Sequence, residues 1–201
     1  MSVDDALGAA AVRAAREVVS NEVSGATYSI PEAPEFGELR GVFVTLNTYP
    51  TGELRGCIGY PYPIMPLGVA LEGAARSACH DPRFPDLRSS ELDGITVEVT
   101  VLTPPEDVEF SGPADLLKKI EIGRDGLIIE CRGRRGLLLP QVPVEWGWDA
   151  EEYLANLAYK AGLPPSAWMW DGARIQSFRG EVFSEPSPGA EATRRDDTHG
   201  Y

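Results

Sequence analysis

Residues 54 to 59 read Leu-Arg-Gly-Cys-Ile-Gly, which sets one thiol two positions from a guanidinium and between glycines. On a regular strand Arg55 and Cys57 share a face while Leu54, Gly56 and Ile58 take the other, because side chains alternate. A cation beside a thiol favours the thiolate, the form that acts as nucleophile or redox group. Gly56 and Gly59 carry no Cβ, so a ligand or another stretch of backbone can come close to the strand there, or a bulge can form. A plainer reading stands beside this one, since an unpaired cysteine also serves as a small buried hydrophobe.

Other side chains offer less. In Asp81-Pro82-Arg83-Phe84, Arg83 either bridges to carboxylates and fixes a turn or binds a ligand anion. Glu145, flanked by Val144 and Trp146, is either a buried partner for an arginine or an acid whose pKa an apolar pocket raises. Trp146 and Trp148 suit core packing, or an aromatic wall for a planar ligand. His80 falls at a predicted helix C-terminus, where a cation meets exposed carbonyls, so its reading is structural rather than catalytic. His199 sits in a polar tail. With two histidines and scattered cysteines no metal site is expected, and no cofactor either.

The chain of 201 residues carries 31 acidic and 18 basic side chains, a net charge of −13. That balance repels a phosphate backbone, and no basic stripe interleaved with aromatics offsets it, so nucleic acid is not an expected partner. Three widely spaced cysteines give neither a disulfide framework nor a CxxC signature, which fits a reducing compartment. No apolar run approaches the ~20 residues that span a bilayer, and no signal core opens the chain. The expectation is a soluble, cytoplasmic protein with no membrane partner.

The elements that must hold these residues follow from periodicity. Val3, Leu7, Ala10, Ala14 and Val18 recur at helical spacing. Residues 41–47 read as a strand, and Thr51-Gly52 turns the chain into the cysteine strand. Tyr60-Pro-Tyr-Pro63 ends that strand, and a helix follows from about Pro66 to the Asp81-Pro82 stop. Ile95, Val97, Val99 and Val101 alternate with polar residues, marking a strand with one wet face. The second half repeats this order: a helix over 113–120, a hairpin over 127–139, a proline-broken link, a helix opened by Asp149 and Glu152 in a capping box, and a strand over 174–183. Runs of strands joined by hairpin turns predict an α+β fold with a curved, largely antiparallel sheet flanked by helices. The domain is expected to run over 1–183, with repeat-like halves at about 3–103 and 113–183, leaving 184–201 as a polar, flexible tail.

Gly41-Val-Phe-Val-Thr-Leu-Asn, Leu54-Arg-Gly-Cys-Ile-Gly, Asp81-Pro-Arg-Phe, Leu92-Asp-Gly-Ile-Thr-Val-Glu-Val and Gly136-Leu-Leu-Leu-Pro-Gln-Val-Pro-Val-Glu-Trp-Gly-Trp-Asp together resemble the AMMECR family, in order, from about Ala10 to Phe183. The likeness is greatest to its stand-alone prokaryotic members. It implies two helix, hairpin, helix, strand repeats forming a barrel-like sheet, and a functional site at the cysteine motif near a cleft, without an established activity. On the family's motifs fall Arg55 and Cys57, Asp81 and Arg83, and Gln141, Glu145 and Trp146. Cys57 and Glu145 thus become the candidate catalytic pair, with Arg55, Gly56, Gly59, Arg83 and Trp146 as candidate substrate contacts. The resemblance also implies an association with Memo-like and radical SAM proteins. Two classes of function therefore stand: an enzyme or small-molecule binder built on the cysteine cleft, and a non-catalytic module in which the same motif shapes a docking groove.

Overall fold

The computed structural model describes residues 3–31 and 33–195. In chain order it contains helix α1 (Asp5–Ser24), strands β1 (Val42–Thr48) and β2 (Leu54–Tyr60), helix α2 (Leu67–Ala78), strands β3 (Ile95–Leu102) and β4 (Glu106–Asp107), helix α3 (Pro113–Lys119), and strands β5 (Gly126–Cys131) and β6 (Arg134–Leu138). Helices α4 (Gln141–Trp146) and α5 (Ala150–Lys160) follow, then strands β7 (Arg174–Phe178), β8 (Gly180–Ser184) and β9 (Thr193–Arg194). The described residues divide into two compact units, 3–104 with 181–195, and 105–180.

In the first unit the strands lie in the order β2-β1-β3-β8-β9. Period-two alternation sends Val42, Val44 and Leu46 of β1 and Val97, Val99 and Val101 of β3 into one core. Helices α1 and α2 cover it with Ala11, Ala15, Val18 and Val19 from one and Leu67, Leu71, Ala74, Ala75 and Ala78 from the other. Alanines on both helices let the backbones pack close to the sheet. Asp4 caps α1 by accepting from the amide of Leu7 at 2.7 Å.

In the second unit the order is β4-β7-β5-β6, with β5 paired antiparallel to both β6 and β7. Leu127 and Ile129 pack with Tyr153, Leu154 and Leu157 of α5. The capping box forms as the spacing predicts: Asp149 accepts from Glu151 and Glu152 amides, and the Glu152 carboxylate accepts from the Asp149 amide at 3.1 Å.

Four expectations need correction. The sheet is not one barrel-like surface but two open sheets, one in each unit. The predicted strand 174–183 is two strands paired in different sheets, β7 between β4 and β5 and β8 between β3 and β9, so a pattern continuous in sequence divides between two sheets. The predicted link around Pro140 and Pro143 contains α4, where Pro143 takes the third helical position. The amides of a first turn lack intrahelical acceptors, so a missing N–H costs little there. The segment from Ser184, read as a flexible tail, carries β9 and the buried Glu185. Glu185 accepts from the amide of Val97 at 3.0 Å and forms a two-point ion pair with Arg16 of α1, whose Nε lies 2.9 Å from Oε1. Residues 196–201, with His199, lie outside the described residues.

Candidate functional site

Strand β2 forms the outer edge of its sheet, and Cys57 stands at its middle, opposite Thr45 of β1. The amide and carbonyl of Cys57 turn away from β1, where an edge strand has no neighbour. Asp81 and Arg83 take the place of the missing strand. The Asp81 carboxylate accepts the Cys57 N–H at 2.9 Å, and Arg83 Nη2 donates to the Cys57 carbonyl at 3.3 Å. The two also join each other, Arg83 Nη2 to Asp81 Oδ2 at 2.7 Å and Nε to Oδ1 at 3.1 Å, while the Arg83 amide donates to Oδ1 at 3.0 Å. Asp81 is 2% exposed. The Arg83 guanidinium, with the amides of Cys57 and Arg83, holds its carboxyl far below the usual carboxylate range.

Because the backbone groups of Cys57 face outward, its pairing with Thr45 is the close, non-hydrogen-bonded kind, and the two side chains share a face. Thr45 Oγ1 donates to Cys57 Sγ at 3.3 Å. Across β1 the row continues, since Thr45 pairs with Glu98 of β3. Glu98 is 1% exposed and meets Arg195 Nη1 at 2.8 Å. The thiol thus sits beside one cation and two carboxylates. Burial dominates and raises its pKa above the ordinary thiol value; the Thr45 hydrogen bond and Arg83 oppose this, and Asp81 and Glu98 reinforce it. Cys57 is half-buried and its pKa moves up, opposite to the shift that a thiolate held by a neighbouring cation would show, while the reading as a small buried side chain stays open. Cys79 is fully buried, and burial first, then Glu22, pushes its thiol up to about 12.

Arg55 does not serve the sulfur. The register of β1 and β2 slips between Leu46 and Asn47, where Gly56 and then Leu54 are the partners, leaving Arg55 as the inserted residue. Its guanidinium instead grips Glu91, Nε to Oε1 at 2.9 Å and Nη2 to Oε2 at 3.2 Å, and reaches the Asp86 carbonyl at 3.4 Å. The cation whose charge acts on the thiol is Arg83 and not Arg55.

The glycines of the motif are spent on packing. A Cβ on Gly56 would stand 2.4 Å from the carbonyl oxygen of Ala78, so its absence lets β2 meet the end of α2 and brings Asp81 within reach. A Cβ on Gly59 would meet the ring of its cross-strand partner Phe43 at 2.3 Å. Glu145 is exposed on α4 in the second unit, which removes both readings that required its burial. Trp146 is 70% exposed and stacks on Trp148 with ring centroids 6.0 Å apart, so it is not a core residue. His80 bridges the side chains of Glu22 and Asp86, whereas contact with the exposed carbonyls of a helix end was the expectation. Among the described residues no group of acidic, cysteine and histidine side chains could hold a metal ion, and no helix is long and apolar enough to cross a membrane.

Thr45 and Glu98 escaped the sequence reading. Thr45 lies in a strand whose alternation marks it only as facing away from the core, and its partnership with Cys57 exists only through register. Glu98 occupies what periodicity assigns to a wet face.

The motif strings and the strand, helix and turn that hold them agree with a family match. The AMMECR1 family model covers residues 12–183. The chain belongs to the AMMECR1 family. Among its archaeal relatives, Protein MJ0810 of Methanocaldococcus jannaschii is 55% identical over 190 residues, covering 94% of each chain. A protein of Thermococcus gammatolerans is 48% identical over 200 residues, covering 96% of this chain and 97% of the relative. The crystal structure of uncharacterized protein PH0010 from Pyrococcus horikoshii is similar with a TM-score of 0.74 at 46% identity, covering 96% of this chain and 98% of that one.

Proposed function

We propose that this AMMECR1-family protein is an enzyme or enzyme-like small-molecule binder whose site centres on Cys57. One observation carries the reading: the backbone of Cys57 is pinned on both sides by Asp81 and Arg83, while its sulfur stays half-buried beside the hydroxyl of Thr45. Such fixing holds a reacting atom in place, and the thiol gives up its proton more readily when a ligand brings a base or a positive charge to it. Arg83, 56% exposed, is the cation that can meet an anionic ligand group beside the sulfur. The recurrence of helix, hairpin, helix and strand in each unit supports two structural repeats as the scaffold. A net charge of −13 speaks against nucleic acid and acidic membrane surfaces as partners, and three unpaired cysteines suit a reducing, cytoplasmic setting. The test is the pH dependence of Cys57 alkylation, read by peptide mass spectrometry with Cys79 and Cys131 as comparators. Reaction at Cys57 in the folded protein, rising with pH above the ordinary thiol range and blocked by a bound small molecule, supports the reading. Protection of Cys57 until global unfolding sinks it.

A second reading rests on Trp146, whose exposure beside Trp148 and the half-exposed Val144 offers an anchor for another protein. In that case the protein is a non-catalytic module for Memo-like or radical SAM partners. Co-elution with such a partner, lost in Trp146→Ala and kept in Cys57→Ser, distinguishes it from the first.

A further inference from the structure

The loop that carries Asp81 and Arg83 is tied down at a second place. His80 directs Nε2 to Glu22 Oε1 of α1 at 3.1 Å and Nδ1 to Asp86 Oδ1 at 3.0 Å, so one imidazole joins the end of α1, the end of α2 and the far side of the loop. The loop closes between them through the Leu87 amide, which donates to the Cys79 carbonyl at 2.8 Å. Asp86 is also fastened through its carbonyl to Arg55 of the cysteine strand.

We infer that His80 is a positioning residue for the Cys57 site, and that its charge state sets how firmly the 81–88 loop holds the edge of β2. The inference rests on Cys57 being the site, and it adds a control on that site. Imidazolium donates from both nitrogens, one to each carboxylate; neutral imidazole has a single N–H, and its other nitrogen turns a lone pair toward a carboxylate oxygen. Loss of the proton therefore removes one of the two ties and makes its remnant repulsive.

The charged surroundings favour the doubly tied form. Glu22 faces the ring from α1 and Asp86 from the loop, and Arg76 of α2 engages Glu22 and Glu72 without reaching the imidazole. Asp86 first, and Glu22 second, raise the His80 pKa above the ordinary histidine value. The loop is then held by a charge that is present in mildly acidic solution and lost as the pH rises through that raised value. Asp81 stays ionised throughout, so the change at the cysteine comes from the loop's anchorage and not from the group that touches the Cys57 amide.

The experiment compares the full chain with His80→Gln and, in case that variant folds poorly, Asp86→Asn, between pH 5 and 9. Hydrogen exchange at the Cys57 amide and alkylation of Cys57 by iodoacetamide are read together. Wild type should exchange about two- to fivefold more slowly than either variant at pH 5.5, in keeping with a half-exposed ion pair, and the ratio should approach one as His80 deprotonates. A ratio that is flat with pH overturns the inference. Should exchange follow His80 while Cys57 resists alkylation at every pH, the positioning role stands and the reading of Cys57 as a reactive thiol falls.

Discussion

The carboxylate of Asp81 accepts the backbone N–H of Cys57 at 2.9 Å across 24 positions of sequence, so a turn after a helix substitutes for a missing strand. The consequence is that the cysteine strand has no free edge at its central residue. Asp81→Ala leaves the part-buried Cys57 amide without its acceptor and frees Arg83, and should lower stability by about 1–3 kcal/mol. Urea denaturation checks it, and Arg83→Ala, which leaves the buried Asp81 carboxylate without its cation, should cost at least as much.

The hydroxyl of Thr45 lowers the pKa of the Cys57 thiol, against a rise set chiefly by burial. Thr45→Val should therefore shift the alkylation profile of Cys57 to higher pH, slowing the reaction at pH 8 by up to about fivefold, the worth of one neutral hydrogen bond. Arg55→Ala should leave that profile where it is, because Arg55 is engaged with Glu91. A shift in the Arg55 variant of the size expected for Thr45 would restore Arg55 to the thiol.

Gly56 leaves room for the Ala78 carbonyl, a backbone atom that cannot swing aside. Gly56→Ala should cost about 1–3 kcal/mol or more through overpacking and should loosen the Asp81 contact with Cys57. Thermal melting and exchange at the Cys57 amide report the two effects separately.

A chain ending at Phe183 loses Glu185 and leaves the part-buried Arg16 with only the carbonyls of Leu92 and Ile95 to face it. Removing one partner of such a pair should cost about 3–5 kcal/mol, and Glu185→Ala should reproduce most of the loss. Equal unfolding midpoints for the full and shortened chains would return the segment to the solvated tail that composition suggests.

His80 also contributes to stability with a defined sign. Its folded pKa is raised, so the contribution is complete below the unfolded value of about 6.5 and disappears as pH rises through the folded one. The stability difference between wild type and His80→Gln should be largest near pH 5.5 and close at alkaline pH, as followed by chemical denaturation across that range.

Local patterns decided much of this protein. Helical spacing in α1 and α2, alternation in β1 and β3, and the Asp149 and Glu152 box at α5 are each written within a few residues, since they depend on 3.6- and 2-residue periods and on first-turn amides. Cys57 and the Asp81 turn were legible as chemistry, and the family strings placed both. What Cys57 touches was decided only by tertiary structure. A bulge leaves no mark in a period-two pattern, so the turning of Arg55 toward Glu91 is invisible until register is known. Thr45 and Glu98 reach the thiol's row through strand pairing, and Glu185 reaches Arg16 across 169 positions, because long-range ion pairs and strand edges are satisfied in space and not along the chain.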